Sequence, residues 1–292
     1  MNLKTLLTLG RTSNLPTVWS NMLAGAVLSG GGFGAPALAL LLGVGSAFYE
    51  GGMFLNDAFD ADIDARERPG RPIPSGLVAR GTVFGIGYGL LVAGLALLLL
   101  GGLVKVTRPG LLPLVAGVGT CVAVLAYNKW HKGHAWSPIV MGACRAGLYA
   151  TAAYAIAGKL ETSVLLGAGA LWLYIVGLTH VARFETGSAI DRAWVGAFVL
   201  APLVVSAPQI VAQHNWLAAL CALLSLGWSI RSLGFALRGG KGQIPRAVVT
   251  LIAGVSLVDA LFISLYGAPY GVLAALGCFL ITLKWQRRIP GT

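Results

Sequence analysis

Charged side chains are scarce in this chain of 292 residues, where they make up 11% of the sequence. An ordinary soluble domain carries about 25%. Hydrophobic residues make up 57% and recur in long runs along the whole chain. This composition excludes a soluble globular domain. It predicts an all-α, polytopic membrane protein, because about 20 apolar residues of helix span a bilayer.

Cysteine is also scarce, and its placement is uninformative for metal chemistry. Cys121, Cys144, Cys221 and Cys278 stand singly in or beside apolar segments, with no CxxC pair. The sequence therefore indicates neither a disulfide framework nor a zinc site. We expect these residues to behave as small hydrophobic side chains.

Ten hydrophobic segments are predicted to form helices, which gives a bundle of nine to ten transmembrane helices in a single domain, residues 1–292. The segments are 15–34, 36–55, 82–103, 109–127, 137–157, 162–181, 193–212, 215–236, 246–266 and 268–284. Most of the 41 glycines are expected at helix contacts, because small residues let membrane helices approach closely.

Basic residues are strongly biased to one side of this bundle. With the N-terminus inside, 18 of the 21 Lys and Arg fall inside, and Lys105, Arg108 and Lys159 fall outside. The positive-inside rule then predicts both termini on the cytoplasmic side of the cell's inner membrane. The formal charge of +11 follows mostly from this topology and from contact with membrane lipid, and it requires no nucleic acid partner.

Three polar segments fall on the predicted cytoplasmic side, at 56–80, 127–138 and 179–192. The first contains the stretch NDAFDADIDARERPGRPIPSG. Asn56, Asp60 and Asp64 are spaced i, i+4, i+8, which places them on one face of a helix. Aligned carboxylates repel one another unless a cation lies among them, and oxygen ligands favour Mg²⁺ held together with substrate phosphates. The spacing therefore predicts a Mg²⁺–diphosphate site with these three residues as metal ligands.

A solvated amphipathic helix is the alternative interpretation, with its acidic residues paired to Arg66 and Arg68. Two features favour the site. Asn56 and Asp57 directly follow an apolar helix, where polar groups are costly and tend to be functional. The stretch also ends in RPIPSG, a rigid turn that can hold Arg71 in place.

These residues resemble a known family. The segment NDAFDADID matches the NDxxDxxxD signature of the UbiA superfamily of intramembrane prenyltransferases, and RPIPSG is similar to the segment that follows it there. RTSNLP, with Arg11 and Asn14, resembles the polar opening of the family's first helix. Tyr127 followed by Lys132 resembles its YxxxKR element, with His131 at the family's lysine position.

The resemblance implies a helical bundle, usually of nine membrane helices, around a central cavity. It implies two aspartate motifs that bind Mg²⁺, which holds a prenyl diphosphate, and an acceptor that attacks the allylic carbocation left when diphosphate departs. Mg²⁺ and Lys or Arg side chains stabilise the charge that develops on such a leaving group. The residues that the resemblance assigns to this chemistry are Asp60, Asp64 and Lys132 as catalytic residues and Arg11, Asn14, Asn56, Asp57, Arg71 and Tyr127 as substrate-binding residues.

The chain departs from the family at the second motif, where DxxxD is the pattern. Here the sequence is ARFETG, with Arg183 and Gly187 at the aspartate positions and Glu185 as the remaining acid. One explanation is that Arg183 replaces the second Mg²⁺, because a guanidinium grips phosphate oxygens bidentately. Glu185 would then orient Arg183 or assist the remaining metal. The other explanation is that transfer activity is lost.

Two further charged residues keep two interpretations each. Arg145 either lines the cavity as a substrate-binding residue or extends its side chain to the membrane interface. Asp259 lies within an apolar helix, where an ionisable residue is either functional or hydrogen-bonded to a neighbouring helix.

The leading function is therefore a Mg²⁺-dependent prenyltransferase that uses a prenyl diphosphate and an unidentified small acceptor. The alternative is a catalytically inactive isoprenoid-binding or scaffold protein on the same fold. A transporter is less favoured. Transporters place polar residues near the bilayer midplane, whereas the polar segments of this chain are predicted at one face of the membrane.

Replacement of Arg183 tests the arginine-for-metal hypothesis. Arg183→Ala is expected to abolish turnover while the first motif stays intact, because the diphosphate loses its second cation. Unchanged turnover in a prenyl-transfer assay would refute this role of Arg183.

Overall fold

The computed structural model describes residues 3–132, 134–183, 194–238, 240 and 242–289, and within these ranges all regular secondary structure is helical. The described helices are α1 (Leu3–Leu9), α2 (Pro16–Leu28), α3 (Ala35–Glu67), α4 (Arg80–Leu103), α5 (Leu112–Trp130), α6 (Ser137–Ala157), α7 (Thr162–Ala182), α8 (Trp194–Gln213), α9 (Trp216–Arg238), α10 (Gln243–Ser264) and α11 (Pro269–Gln286). A 3₁₀ turn at Thr12–Asn14 joins α1 to α2. The all-α bundle predicted from the sequence is confirmed.

Each of the ten predicted segments corresponds to one helix, from α2 to α11. In the part of the chain that the structure describes, eight of them, α3 to α10, are long and apolar enough to cross a membrane. Helix α2 has 13 residues and is about 20 Å long, which is shorter than the bilayer core of about 30 Å. The chain is therefore a multi-pass membrane protein whose first and last hydrophobic helices are its least typical spans.

Helices α2 and α10 form the centre of the bundle. Helix α2 packs against α3, α6, α10 and α11, and nearly all of its residues are buried. Helix α10 is the most buried of the eight candidate spans. Because α2 is surrounded by protein, its polar backbone ends need not reach the membrane surfaces. This arrangement lets polar side chains on α2 and α10 meet inside the bundle.

Helix α3 extends far beyond the hydrophobic segment predicted for it. The predicted segment ends at residue 55, but α3 runs on to Glu67, and its 33 residues span about 50 Å. The acidic stretch is thus a continuous helical extension of a membrane span. It ends where Pro69 follows, since the residue before a proline disfavours helical backbone.

Close contact between α2 and α6 depends on a glycine. A Cβ atom at Gly25 would lie 2.6 Å from the carbonyl oxygen of Tyr149 and 2.7 Å from its Cα. Both atoms belong to backbone and cannot rotate away. The absence of a side chain therefore sets the distance between the two helices.

Gly25→Ala is expected to lower the midpoint of thermal unfolding in detergent by several degrees, because overpacking costs about 1–3 kcal/mol. Gly119→Ala on α5 is the matched control, since a Cβ atom there meets nothing within 4 Å. Equal midpoints for the two variants would contradict the account of this helix contact.

Candidate functional site

A cavity of about 260 Å³ opens at one end of the bundle, among α3, α5, α6, α7 and α10. Its wall is largely apolar and includes Phe48, Val124, Leu148, Ile175 and Val255. Four arginines also line it, which are Arg11, Arg68, Arg71 and Arg145. The cavity thus combines a hydrophobic interior with cationic side chains, as a ligand with an apolar tail and an anionic group requires.

The acidic face of α3 adjoins this cavity through Arg11 and Arg71, which line the cavity and pair with carboxylates of that face. Asn56, Asp57, Asp60 and Asp64 are all at most 7% exposed. The side chain of Asp62 points elsewhere, is 77% exposed, and pairs with Arg80 at 3.0 Å. The spacing of the acidic stretch therefore separates one solvated carboxylate from a row of buried oxygen-bearing side chains.

Two arginines bridge this buried row. Arg11 Nη2 donates to Asn56 Oδ1 at 3.0 Å and to Asp57 Oδ1 at 3.1 Å. Arg71 Nη1 donates to Asp57 Oδ1 and to Asp64 Oδ2, both at 3.0 Å. Asp57 is therefore paired with both Arg11 and Arg71, and Asp64 with Arg71. Arg66, which the alternative interpretation paired with these acids, donates instead to the backbone oxygen of Asp62.

Local backbone geometry directs both arginines. Arg11 adopts a left-handed conformation with φ of 43°, which is uncommon for a residue other than glycine and costs about 1–3 kcal/mol. The following 3₁₀ turn holds it through the bond from Asn14 N to Arg11 O. Arg71 sits in the turn after α3, where Arg71 N donates to Arg68 O and Ser75 N to Arg71 O. The proposed role of RPIPSG in holding Arg71 agrees with this geometry.

The segment that follows α5 supplies a lysine and an imidazole to the remaining carboxylate, Asp60. His131 Nε2 and Lys132 Nζ each lie 3.4 Å from Asp60 Oδ2. Tyr127 stacks on the imidazole of His131, with ring centroids 4.9 Å apart. The structure thus brings Tyr127 and Lys132 to the same face as the aspartates and adds His131, which the sequence analysis did not include among the site residues.

Asn128 is a second residue that the sequence analysis missed. Its Nδ2 donates to the carbonyl oxygen of Gly52 at 2.9 Å, and its Oδ1 accepts from Asn56 Nδ2 at 3.3 Å. It therefore joins α5 to α3 and orients the Asn56 amide. The available signal was a polar residue inside the last apolar turn of α5, next to Tyr127.

Arg183 forms its hydrogen bonds with the segment 134–137. It lies at the end of α7 and donates to the backbone oxygens of His134 and Ala135 and, at 3.1 Å, to Ser137 Oγ. These bonds connect α7 to the segment 134–137, which follows His131 and Lys132 in the chain. Glu185, the other residue predicted at this motif, lies outside the described residues.

Arg145 and Asn14 lie deeper than the acidic row. Arg145 Nη1 donates to Asn21 Oδ1 at 2.8 Å and to Thr17 Oγ1 at 3.1 Å, and its guanidinium lies 5.5 Å from the Tyr49 ring centroid. Tyr49 precedes Asn56 by seven residues, so this level is about 10 Å further along α3. Arg145 therefore lines the cavity. Asn14, another lining residue, accepts a bond from Gln286 of α11 at 2.9 Å.

The donor atoms of the acidic row fit Mg²⁺ in chemical type. Amide and carboxylate oxygens are hard ligands, and Mg²⁺ typically needs one or two carboxylates together with substrate phosphates. Asp60 Oδ1 and Asp64 Oδ1 take no part in the ion pairs above. Within the described ranges, no three His, Cys, Asp or Glu side chains form a ready group for a metal ion. The row therefore suits a metal that arrives with a phosphate ligand.

The family model and the curated relatives that match this chain point to the same family. Residues 17–187 match the model of the UbiA prenyltransferase family. The chain is 26% identical over 225 residues to the digeranylgeranylglyceryl phosphate synthase of Metallosphaera sedula, an alignment that covers 73% of this chain. It spans 66% of that relative, slightly less than two thirds of its length.

Two solved structures share the fold. A UbiA homologue from Aeropyrum pernix in its apo form superposes with a TM-score of 0.64 at 18% identity, covering 84% of this chain and 95% of that one. A UbiA homologue from Archaeoglobus fulgidus bound to DMAPP and Mg²⁺ gives a TM-score of 0.51 at 12% identity, covering 94% and 99%. At these identities the likeness concerns the fold.

The structural role of the Arg183 hydrogen bonds can be tested without a substrate. Arg183→Ala is expected to accelerate amide hydrogen exchange in residues 134–137 at least about fivefold, since one hydrogen bond contributes about 1 kcal/mol. Exchange measured by mass spectrometry checks this, with Arg231→Ala on α9 as the control arginine. Unchanged exchange combined with lost turnover would contradict this structural role and favour direct contact of Arg183 with phosphate.

Proposed function

Because the chain belongs to the UbiA prenyltransferase family, we propose that it transfers an isoprenyl group from a prenyl diphosphate to a small acceptor. The observation that carries this proposal is the buried row of oxygen ligands at the mouth of an apolar cavity, flanked by Arg11, Arg71 and Lys132. A prenyl diphosphate has the matching chemistry, with an anionic head and a hydrocarbon tail. The Archaeoglobus fulgidus homologue with DMAPP and Mg²⁺ supports the donor class.

The diphosphate head is proposed to bind at the acidic row. Asn56, Asp60 and Asp64 would hold Mg²⁺, which neutralises charge on the departing diphosphate. Arg11 already lies 3.0 Å from Asn56 Oδ1 and Arg71 lies 3.0 Å from Asp64 Oδ2, so their guanidinium groups can contact phosphate oxygens without large movement. Bidentate guanidinium contacts to phosphate are among the stronger polar interactions in proteins.

The residues at the end of α5 are proposed to act on the leaving group. Lys132 and His131 each lie 3.4 Å from Asp60 Oδ2. They follow Tyr127 and Asn128 in the chain, which line the cavity where the diphosphate would lie. A cation at this position stabilises the negative charge that develops as the C1–O bond breaks and the electron pair leaves with the diphosphate. Tyr127, stacked on His131, would fix the imidazole in place.

The apolar wall is proposed to hold the isoprenoid tail. Phe48, Leu148 and Val255 lie deeper than the acidic row and offer no nucleophile, so they exclude water from the allylic cation. The acceptor nucleophile forms the new bond to C1 and loses its proton. Arg145 and Asn14, the polar side chains at this level, are proposed to position the substrates.

The orientation in the membrane is part of the same proposal. The C-terminal ends of α3, α5 and α7 and the start of α6 meet at the cavity mouth. From the positive-inside rule, these ends are proposed to face the cytoplasmic side of the inner membrane, with both termini inside. A water-soluble diphosphate product would then leave directly into the cytoplasm.

Binding of geranyl S-thiolodiphosphate, a slowly reacting donor analogue, tests the proposed site. The wild type is expected to bind it in detergent only with Mg²⁺, and Asp60→Asn or Asp64→Asn is expected to weaken binding at least about tenfold. Asp62→Asn is the matched control, because this exposed carboxylate lies off the row. Isothermal titration calorimetry measures all four proteins with and without EDTA.

The outcome also separates the two candidate functions. Mg²⁺-independent binding that ignores Asp60 and Asp64 would contradict the enzymatic proposal. It would favour an isoprenoid-binding protein that keeps the fold without the chemistry.

A further inference from the structure

A buried polar cluster joins the cavity wall to the centre of the bundle. It consists of Ser20 and Asn21 on α2, Arg145 and Tyr149 on α6, and Asp259 on α10. Asp259 is fully buried, and it lies outside every motif that the sequence analysis assigned to the site. A carboxylate in such a place must receive hydrogen bonds from its neighbours, because an uncompensated buried charge is very costly.

Three side chains donate to this carboxylate. Tyr149 Oη donates to Asp259 Oδ1 at 2.5 Å, and Ser20 Oγ donates to Oδ2. Asn21 Nδ2 lies 3.0 Å from Oδ1 and 2.9 Å from Oδ2, so it contacts both oxygens. Asp259 therefore acts as an acceptor toward every one of these partners.

The carboxylate thereby fixes the orientation of the Asn21 amide. The NH₂ group of Asn21 must face Asp259, which leaves Asn21 Oδ1 pointing to Arg145 Nη1 at 2.8 Å. The reversed amide would place oxygen against the carboxylate and NH₂ against the guanidinium, and both contacts would be repulsive. Because Asp259 on α10 accepts from the NH₂ group of Asn21, Asn21 Oδ1 is the atom that faces Arg145 in the cavity wall.

Arg145 depends on this acceptor for its direction. Its hydrogen bonds go to neutral oxygens, Asn21 Oδ1 and Thr17 Oγ1, and Tyr49 packs beside the guanidinium. Both bonds use Nη1 and hold the guanidinium against α2, while Arg145 also lines the cavity. We propose that Asp259 is a positioning residue that fixes the Arg145 guanidinium in the cavity wall through the amide of Asn21. The use of Arg145 toward substrate rests on the proposed function, but its orientation does not.

Asp259→Asn breaks this chain of contacts without a change of size. Asn21 Nδ2 contacts both carboxylate oxygens, so either orientation of the new amide places an NH₂ group against it. The Asn21 amide then turns to present its oxygen to position 259. Arg145 then loses Asn21 Oδ1, the closer of its two acceptors, and meets an NH₂ group there, while the longer bond to Thr17 Oγ1 remains.

The test measures the rotational freedom of the Arg145 guanidinium directly. Protein labelled with ¹⁵N-arginine is studied by NMR in detergent micelles, and Arg145→Lys assigns the Arg145 signals by their disappearance. In the wild type, restrained rotation is expected to give Arg145 separate Nη signals. In Asp259→Asn these are expected to collapse into one averaged signal, while the signals of Arg11 and Arg71 at the mouth stay in place.

Two further variants separate positioning from a general structural role. The exchange Asn21→Asp with Asp259→Asn puts a carboxylate opposite Arg145 and an NH₂ donor at position 259, so separate signals are expected to return. Tyr149→Phe removes one donor to Asp259 and leaves the Asn21 link intact, so the Arg145 signals are expected to remain. If Asp259→Asn does not fold, Asn21→Leu removes the same link and is expected to collapse the Arg145 signals.

Several results would overturn the inference. Unchanged Arg145 signals in Asp259→Asn would do so, as would an exchanged pair that folds without restoring them. Equal shifts of all arginine signals would show that Asp259 supports the bundle in general. The same samples are titrated with geranyl S-thiolodiphosphate and Mg²⁺. Absence of binding by the wild type would refute the proposed function, while the Arg145 signals would still decide the present inference.

Discussion

The interaction on which the other features of the structure depend is the pairing of buried carboxylates with cations at the end of a membrane helix. Asp57, Asp60 and Asp64 lie on one buried face of α3, where repulsion among them would destabilise the helix. Cations from three separate segments compensate them: Arg11 from the N-terminal turn, Arg71 from the loop after α3, and Lys132 from the segment after α5, where His131 also contacts Asp60. This pairing brings distant parts of the chain to one place and shapes the cavity mouth.

The same constraint is compatible with the proposed binding of both metal and diphosphate at a single site. Arginines that pair with carboxylates are also suitable partners for phosphate oxygens. When Mg²⁺ and phosphate arrive, these ion pairs would exchange partners. The carboxylates would bind the metal, and the guanidinium groups would bind the phosphates. Deeper in the cavity the wall becomes apolar, and about 10 Å along α3 the Arg145 level adds a second polar layer. The interior thus offers separate environments for the head, tail and acceptor of the proposed substrates.

Much of the fold followed from the sequence, because hydrophobic runs and i, i+4 spacing are local signals. They predicted the bundle and the shared face of Asn56, Asp60 and Asp64. The predicted segment 15–34 extended past α2, which ends at Leu28, because it included Ser29 and the glycines at 30–32; Gly30 has a φ of 68°, outside the helical range. The contacts of Arg183 and the partners of Asp259 were equally hidden. Asp259 bonds Asn21 and Tyr149, which are 238 and 110 residues away, and only the packing of α2, α6 and α10 brings them together.

Turnover is the most direct test of the central claim that the acidic row activates a prenyl diphosphate. The purified protein is incubated with geranyl diphosphate, Mg²⁺ and a membrane lipid extract as the source of acceptors, and released inorganic diphosphate is measured. The account predicts release that requires the extract and stops when EDTA removes Mg²⁺. A protein that binds geranyl diphosphate at this site but releases no diphosphate with any extract, with or without Mg²⁺, would contradict it.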